Sequence, residues 1–228
     1  MFIIFDLDDT LIDTSGCITP VKLEKALQCM VEEGLELGDF QKGLEQLLSL
    51  DRKSESAKSA LEEFMEINDF DSKFLPLALH EVYSSFSEEI PVFAVEDAVE
   101  VLANLSYDHK MAIISIGKPE LQMWKLKKAG IDSSLFCKII VLEEKNKKKY
   151  YEELIQELNL SPSDVIVCGD RIPVDLAPAK QLGCKTIHMK KGRGLHSVGS
   201  EREVDFTITH LSQISKVLAE ISKNPSFN

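Results

Sequence analysis

Phe2 to Leu7 is an apolar run with almost no polar break, the pattern of a strand buried on both faces of a parallel sheet. The texture changes near Thr19. Thr19 can cap and Pro20 can open a helix in which Leu23, Leu27, Met30 and Val31 share one face, with Gly34 as its stop. Three further helical patterns follow, on Leu44, Leu47 and Leu48, on Leu61, Phe64 and Met65, and on Leu79, Val82, Tyr83 and Phe86. Residues 14–90 therefore read as a helical insert, and residues 1–13 and 91–228 as the domain it interrupts. Beyond Pro91, strand and helix patterns alternate. Strands are predicted at 111–115, 138–142, 165–168, 186–189 and 206–208, and helices at 99–105, 121–129, 149–158, 177–182 and 211–221. That alternation predicts an α/β fold with a parallel sheet covered on both faces. Ligands of such sheets bind at the carboxyl ends of the strands, at a topological switch point. The residues that follow the strands, 6–10, 115–117, the region of Lys145 and 169–175, are thus the candidates for chemistry.

Composition narrows the possibilities. A chain of 228 residues, 44% of them hydrophobic, can bury a core without a disulfide or metal staple. Its five cysteines are odd in number and form no C-x-x-C pair, which reads as a reduced, cytoplasmic chain. No apolar stretch approaches the roughly 20 residues of a membrane span, and the first residues lack the basic region and cleavage site of a signal peptide. A net charge of −12 argues against nucleic acid and anionic membrane as partners. The basic run Lys145 to Lys149 reads as a solvated helix entry. The acidity is uneven, with 16 acidic and 7 basic side chains in residues 14–90 against 22 and 19 in the rest. It therefore opposes long polyanions but not a single small phosphate ester. Monomer and homodimer both remain open.

Asp6 and Asp8, two residues apart, would point to one side of an extended segment, roughly 7 Å apart. Two such carboxylates repel unless a cation or a shared proton relieves them. Asp170, after another strand, would bring a third, and an all-oxygen set with open positions suits Mg²⁺. Asp9 reads as a solvated side chain, Asp13 as a local turn or cap, and Thr10 either as bonded back to the loop or as touching substrate. Ser115 and Gly117 precede a helix whose first turn holds Pro119, so a hydroxyl and backbone N–H groups would face an anion there. One lysine from 145–149 could add a cation. The five histidines lack zinc-ligand spacing. Lys190 to Gly194 reads as a surface turn, Trp124 as packing, and Arg171 as one half of a surface or interdomain ion pair.

The order Ile4-Phe5-Asp6-Leu7-Asp8-Asp9-Thr10-Leu11, then Ile113-Ile114-Ser115, then a lysine, then Val167-Cys168-Gly169-Asp170-Arg171 with Asp175 beyond, resembles the haloacid dehalogenase-like hydrolase superfamily. The resemblance implies a Rossmann-like core with helices on both faces, and it makes residues 14–90 a type C1 cap. It implies that Asp6 is the nucleophile that becomes aspartyl-phosphate and that Asp8 is the general acid and base. Mg²⁺ would be held by Asp6, the backbone carbonyl of Asp8 and Asp170, with Asp175 ordering the outer shell. Ser115, Ile116, Gly117 and a lysine would hold the phosphoryl oxygens. Spacing to Tyr151 favours Lys147 as that lysine, with Lys145 and Lys148 behind it. A dehalogenating branch of the family lacks the second aspartate and an ion-pumping branch has lysine there, so Asp8 points to phosphoryl transfer. Two departures stand out: Ile116 occupies a position where many relatives carry Asn, and the lysine lacks the usual Lys-Pro-x-Pro setting. The function implied is a Mg²⁺-dependent phosphatase of a small phosphomonoester. Sugar phosphates, nucleoside monophosphates, phosphoglycolate and triose phosphates all remain open as substrates. A phosphosugar mutase, a phospho-accepting signalling module and an inactive relative of the same fold are the alternatives.

Overall fold

The computed structural model describes residues 1–84, 87–143 and 146–223; Phe86 and Lys145, both named above, lie outside the described residues. The chain forms two compact units, one of Thr14–Pro91 and one of Met1–Asp13 with the chain from Val92 onward. The first unit holds helices α1 (Thr19–Glu32), α2 (Phe40–Asp51), α3 (Ala57–Ile67) and α4 (Leu75–Ser84). Leu23, Ala26, Leu27 and Met30 of α1 bury against Leu44, Leu47, Leu61 and Phe64, the stripe that their three- and four-residue spacing dictates. Asp39 caps α2 by accepting from the Lys42 N–H at 3.1 Å, and Ser56 caps α3 by accepting from the Ser59 N–H at 3.1 Å. Two details depart from the sequence pattern. Thr19 is the first helical residue rather than a cap, because a π-helical turn at Thr14–Ile18 runs directly into α1. Val31 is 37% exposed, since in the last turn it falls at the rim of the Leu23, Leu27 and Met30 stripe.

The second unit is a six-stranded sheet of β1 (Phe2–Phe5), β2 (Lys110–Ile116), β3 (Phe136–Leu142), β4 (Val165–Gly169), β5 (Lys185–Met189) and β6 (Phe206–Ile208). All pairs are parallel, in the order β3-β2-β1-β4-β5-β6, so the fold is α/β and Rossmann-like. Its helices are α5 (Ala98–Asp108), α6 (Pro119–Lys128), α7 (Lys147–Glu157), α8 (Ala177–Gln181) and α9 (Ile214–Lys223). Right-handed crossovers put α5 and α6 on one face and α7 and α8 on the other. Tyr151, Leu154 and Ile155 of α7 accordingly bury against Phe2, Ile4, Ile114 and Val167. β1 is covered on both faces and all four of its side chains are buried, which is why it is written as an unbroken apolar run. It stops at Phe5 rather than Leu7, because the Leu7 carbonyl accepts from the N–H groups of Leu11 and Ile12 at 2.9 and 3.0 Å and closes a turn. At the far edge, Asp205 secures the short β6, its two carboxylate oxygens accepting from the Thr186 N–H at 2.9 Å and from Lys180 Nζ at 2.5 Å. Among the described residues no helix is long and apolar enough to cross a membrane.

Candidate active site

The chain steps from β1 to β2 on one side and reaches β4 on the other, so the carboxyl end of β1 is the switch point of the sheet. Phe5 lies level with Ile113 and Cys168, and the Asp6 N–H still donates to the Cys168 carbonyl at 2.9 Å. Asp6 therefore leaves the sheet beside the end of β4, where Asp170 follows. Carboxylate oxygens of Asp6, Asp170 and Asp175 lie within 4.8 Å of one another, and all three residues are buried. Lys147, the first residue of α7, is fully buried, and its Nζ donates to Asp6 Oδ1 at 2.5 Å and to Asp175 Oδ1 at 2.7 Å. Lys148 is turned outward, to Gln181.

The three carboxylates are not equivalent. Both oxygens of Asp175 are engaged, the second accepting from the Arg171 N–H at 2.9 Å. Among the described residues, the buried Asp6 Oδ2 and Asp170 Oδ1 have no hydrogen-bond partner, an arrangement that costs free energy unless something positive meets them. Burial pushes the Asp6 carboxyl up to about 6 against the pull of Lys147, with Asp175 adding to the rise. Burial, with Asp175 and Asp6 alongside, also holds Asp170 well above the usual carboxylate range. Burial opposes the charge on Lys147, but Asp175 and Asp6 outweigh it and hold the ammonium above the ordinary lysine range. Two open oxygens in a buried, all-oxygen cluster fit a small, hard divalent cation.

Asp8 turns elsewhere. Beyond the end of β1, Asp8 forms an isolated β-bridge with Ile12. Its Oδ1 accepts from Lys125 Nζ at 2.7 Å and its Oδ2 from Gln122 Nε2 at 2.9 Å. The same Gln122 amide reaches Ser115 Oγ at 2.8 Å and the Ile116 carbonyl at 3.2 Å. Gln122 and Lys125 escape a reading of the sequence by motif. The available signal is that both are polar, three apart, and occupy the buried stripe of α6 beside Leu126. One expectation for the phosphate cradle needs correction. The Gly117 N–H donates to the Leu142 carbonyl at 2.7 Å, extending the ladder between β2 and β3 instead of facing an anion. The Ile116 side chain packs against the apolar core, and its carbonyl accepts from the Gln122 amide.

Asp9, expected in solvent, is 1% exposed. Its positive φ of 57° turns it inward, and its Oδ2 accepts from the Arg193 N–H at 3.3 Å. Gly192 comes so near that a Cβ there would lie 2.3 Å from Asp9 Cγ, and one on Gly194 would lie 2.3 Å from the Met189 carbonyl oxygen and 3.2 Å from Asp170 Cβ. The stretch Lys190 to Gly194 is thus a wall of the site rather than a surface turn. Among the described residues the buried Thr10 Oγ1 has no partner, so the back-bond to its own loop is not made. Arg171 is half-buried; burial opposes its charge, but Asp175, then Asp170 and Asp6, hold it above its ordinary range.

Residues 3–189 match the family described as haloacid dehalogenase-like hydrolase. The chain is similar to the glyceraldehyde 3-phosphate phosphatase of Pyrococcus furiosus, 28% identical over 95% of this chain and 92% of that one. The glyceraldehyde 3-phosphate phosphatase of Methanocaldococcus jannaschii is 25% identical over 97% of this chain and 98% of its own. A solved haloacid dehalogenase-like family hydrolase from Xanthomonas campestris superposes with a TM-score of 0.67, covering 100% of this chain and 98% of that one at 19% identity, a likeness of fold. The family match runs from Ile3 in β1 to the end of β5 and takes in every residue of the carboxylate and lysine cluster, and on it the chain belongs to the haloacid dehalogenase-like hydrolases.

Proposed function

We propose that the protein is a Mg²⁺-dependent phosphatase of small phosphomonoesters, of the sugar-phosphate and triose-phosphate class, acting through an aspartyl-phosphate on Asp6. The observation that carries this reading is the division of labour among carboxylates. Asp6 and Asp170 keep an open buried oxygen each, Asp175 is saturated by Lys147 and Arg171, and Asp8 is held apart on its own donors. The similarity to glyceraldehyde 3-phosphate phosphatases over nearly the whole chain supports the substrate class.

An oxygen of the Asp6 carboxylate attacks phosphorus, forming the Asp6–phosphate bond as the ester P–O bond breaks. Asp8 gives its proton to the departing alkoxide. Asp8 then takes a proton from water, whose oxygen attacks phosphorus, releasing inorganic phosphate and restoring the Asp6 carboxylate. Splitting the hydrolysis in this way replaces one very slow displacement with two assisted ones. Lys147 offsets charge beside Asp6. Ser115 Oγ accepts from Gln122 and so has its own proton to give to a phosphoryl oxygen. Asp6, the Asp8 carbonyl and Asp170 would hold Mg²⁺, with Asp175 fixing its surroundings, and the bound ion would supply further neutralisation of the phosphoryl charge. The helical unit Thr14–Pro91 takes the role of a cap that excludes water during transfer.

The test is Asp6→Asn, assayed for Mg²⁺-dependent phosphate release from glyceraldehyde 3-phosphate and a panel of other phosphomonoesters. Release is expected to vanish while the far-UV circular dichroism spectrum is kept, and undiminished turnover would overturn the mechanism.

A further inference from the structure

We propose that Gln122 and Lys125 are positioning residues, which hold the Asp8 carboxylate for proton transfer and tie it to Ser115. The inference rests on the phosphatase reading above and concerns how its general acid is aimed. Each oxygen of Asp8 has a separate donor, Lys125 Nζ at 2.7 Å and Gln122 Nε2 at 2.9 Å. Both donors are buried, whereas the Asp8 side chain is 28% exposed. A loop aspartate facing solvent would sample several rotamers. Two buried donors three residues apart on one helix fix the plane of its carboxylate, and one of the two bonds is a full charge pair.

The second link runs through the amide. Gln122 Nε2 also reaches Ser115 Oγ at 2.8 Å, so one group sets the relation between the hydroxyl aimed at phosphate and the carboxylate aimed at the leaving oxygen. Gln122 has little freedom to drift. Gly117, with φ of +155°, lets the loop approach until a Cβ would sit 3.1 Å from the Gln122 amide, and the Ile116 carbonyl accepts from the same nitrogen at 3.2 Å. Positioning of this kind matters most where the proton is needed most. The alkoxide of an aliphatic alcohol cannot leave without one, whereas p-nitrophenolate can.

The experiment compares kcat/KM, which covers the steps through loss of the alcohol, on glyceraldehyde 3-phosphate and on p-nitrophenyl phosphate, for the wild type, Lys125→Met and Gln122→Met. Since a positioned general acid contributes about 10²- to 10⁴-fold, each variant is expected to lose about 30-fold or more on the aliphatic ester and less than about fivefold on the aryl ester. In Lys125→Met, which leaves the Gln122–Ser115 bond in place, inhibition by inorganic phosphate should change by less than about threefold, because Lys125 does not control ground-state binding. In an Asp8→Asn background, Lys125→Met should cause no further loss on the aliphatic ester, as expected for residues acting as one unit. Equal losses on both esters, or a Lys125→Met loss undiminished in that background, would show a merely structural role and overturn the proposal. If Lys125→Met fails to fold, the contrast between esters in Gln122→Met decides alone. A wild-type protein that releases phosphate from neither ester fails the phosphatase reading and the proposal with it, whereas normal turnover with uniform losses fails the proposal alone.

Discussion

A methyl group at position 169 would lie 2.6 Å from Asp175 Cβ and 2.8 Å from its carboxylate carbon, closer than side chains approach one another. Glycine is what lets the end of β4 rest directly on Asp175. Gly169→Ala is expected to push Asp175 off Lys147, to destabilise the protein by about 1–3 kcal/mol, and to lower phosphate release by about 100-fold or more. Urea unfolding and steady-state rates read the two effects separately. Asp6 and Asp170 were legible as a set rather than singly: one aspartate after a strand is commonly a turn or cap, but Asp6-x-Asp8 after one buried apolar strand and Gly169-Asp170 after another point to a shared site. Gln122 and Lys125 were not legible, because glutamine and lysine are ordinary residues for a helix surface. Only the way α6 lies against the loop after β2 makes that face an interior one. Asp9 was misread for a related cause: its burial depends on Gly192 and Arg193, 183 and 184 positions further along the chain.

Strands were easier to recognise than their ends. Parallel strands covered on both faces write themselves as apolar runs, but where β1 stops depends on turn bonds at Leu7 that hydrophobicity does not report. The start of α7 shows an opposite pressure. Lysines in the first turn oppose the helix dipole, so the pattern suggests a later start, yet α7 begins at Lys147 because Asp6 and Asp175 meet its charge. At the sheet's edge, β6 has only three residues and depends on Asp205. Asp205→Ala leaves the Thr186 N–H without its acceptor and Lys180 without its partner, and is expected to cost about 1–3 kcal/mol. Hydrogen exchange should then rise in β5 and β6 and stay unchanged in β1, with kcat within about twofold of the wild type. Loss of protection throughout the sheet would show that the edge is not a separate stability element.

For the molecule as a whole, the buried carboxylates link stability, pH and cation binding. The Asp6 carboxyl is raised from 3.8 to about 6 on folding, chiefly by burial, so between those values the folded state holds more protons than the unfolded one. Without a cation, this group makes the protein less stable as pH rises through that window, and the effect levels off above about 6. A divalent ion needs the ionised form, so its stabilisation grows over the same window. At a hundredfold excess over its Kd, Mg²⁺ would add about 2.7 kcal/mol, or about 5–10 °C in Tm for a chain of this size. Thermal unfolding with and without MgCl₂ should show that gain at about pH 7.5 and little of it at about pH 5. Asp170→Asn should lose it, and an equal gain at both pH values or in that variant would contradict a cation on these oxygens.

The central place of β1 also sets an order of assembly. Its neighbours are β2, at Lys110–Ile116, and β4, at Val165–Gly169, so during synthesis the strand waits for about a hundred residues before either flank can be filled. The helices of Thr14–Pro91 find their partners within that same stretch and can be complete while Phe2–Phe5 still has two bare edges. A short apolar strand in that condition is open to pairing with other chains. The strand that leads into Asp6 is therefore made before either of its flanks, and the chemistry of the site cannot exist before Asp175 has been added.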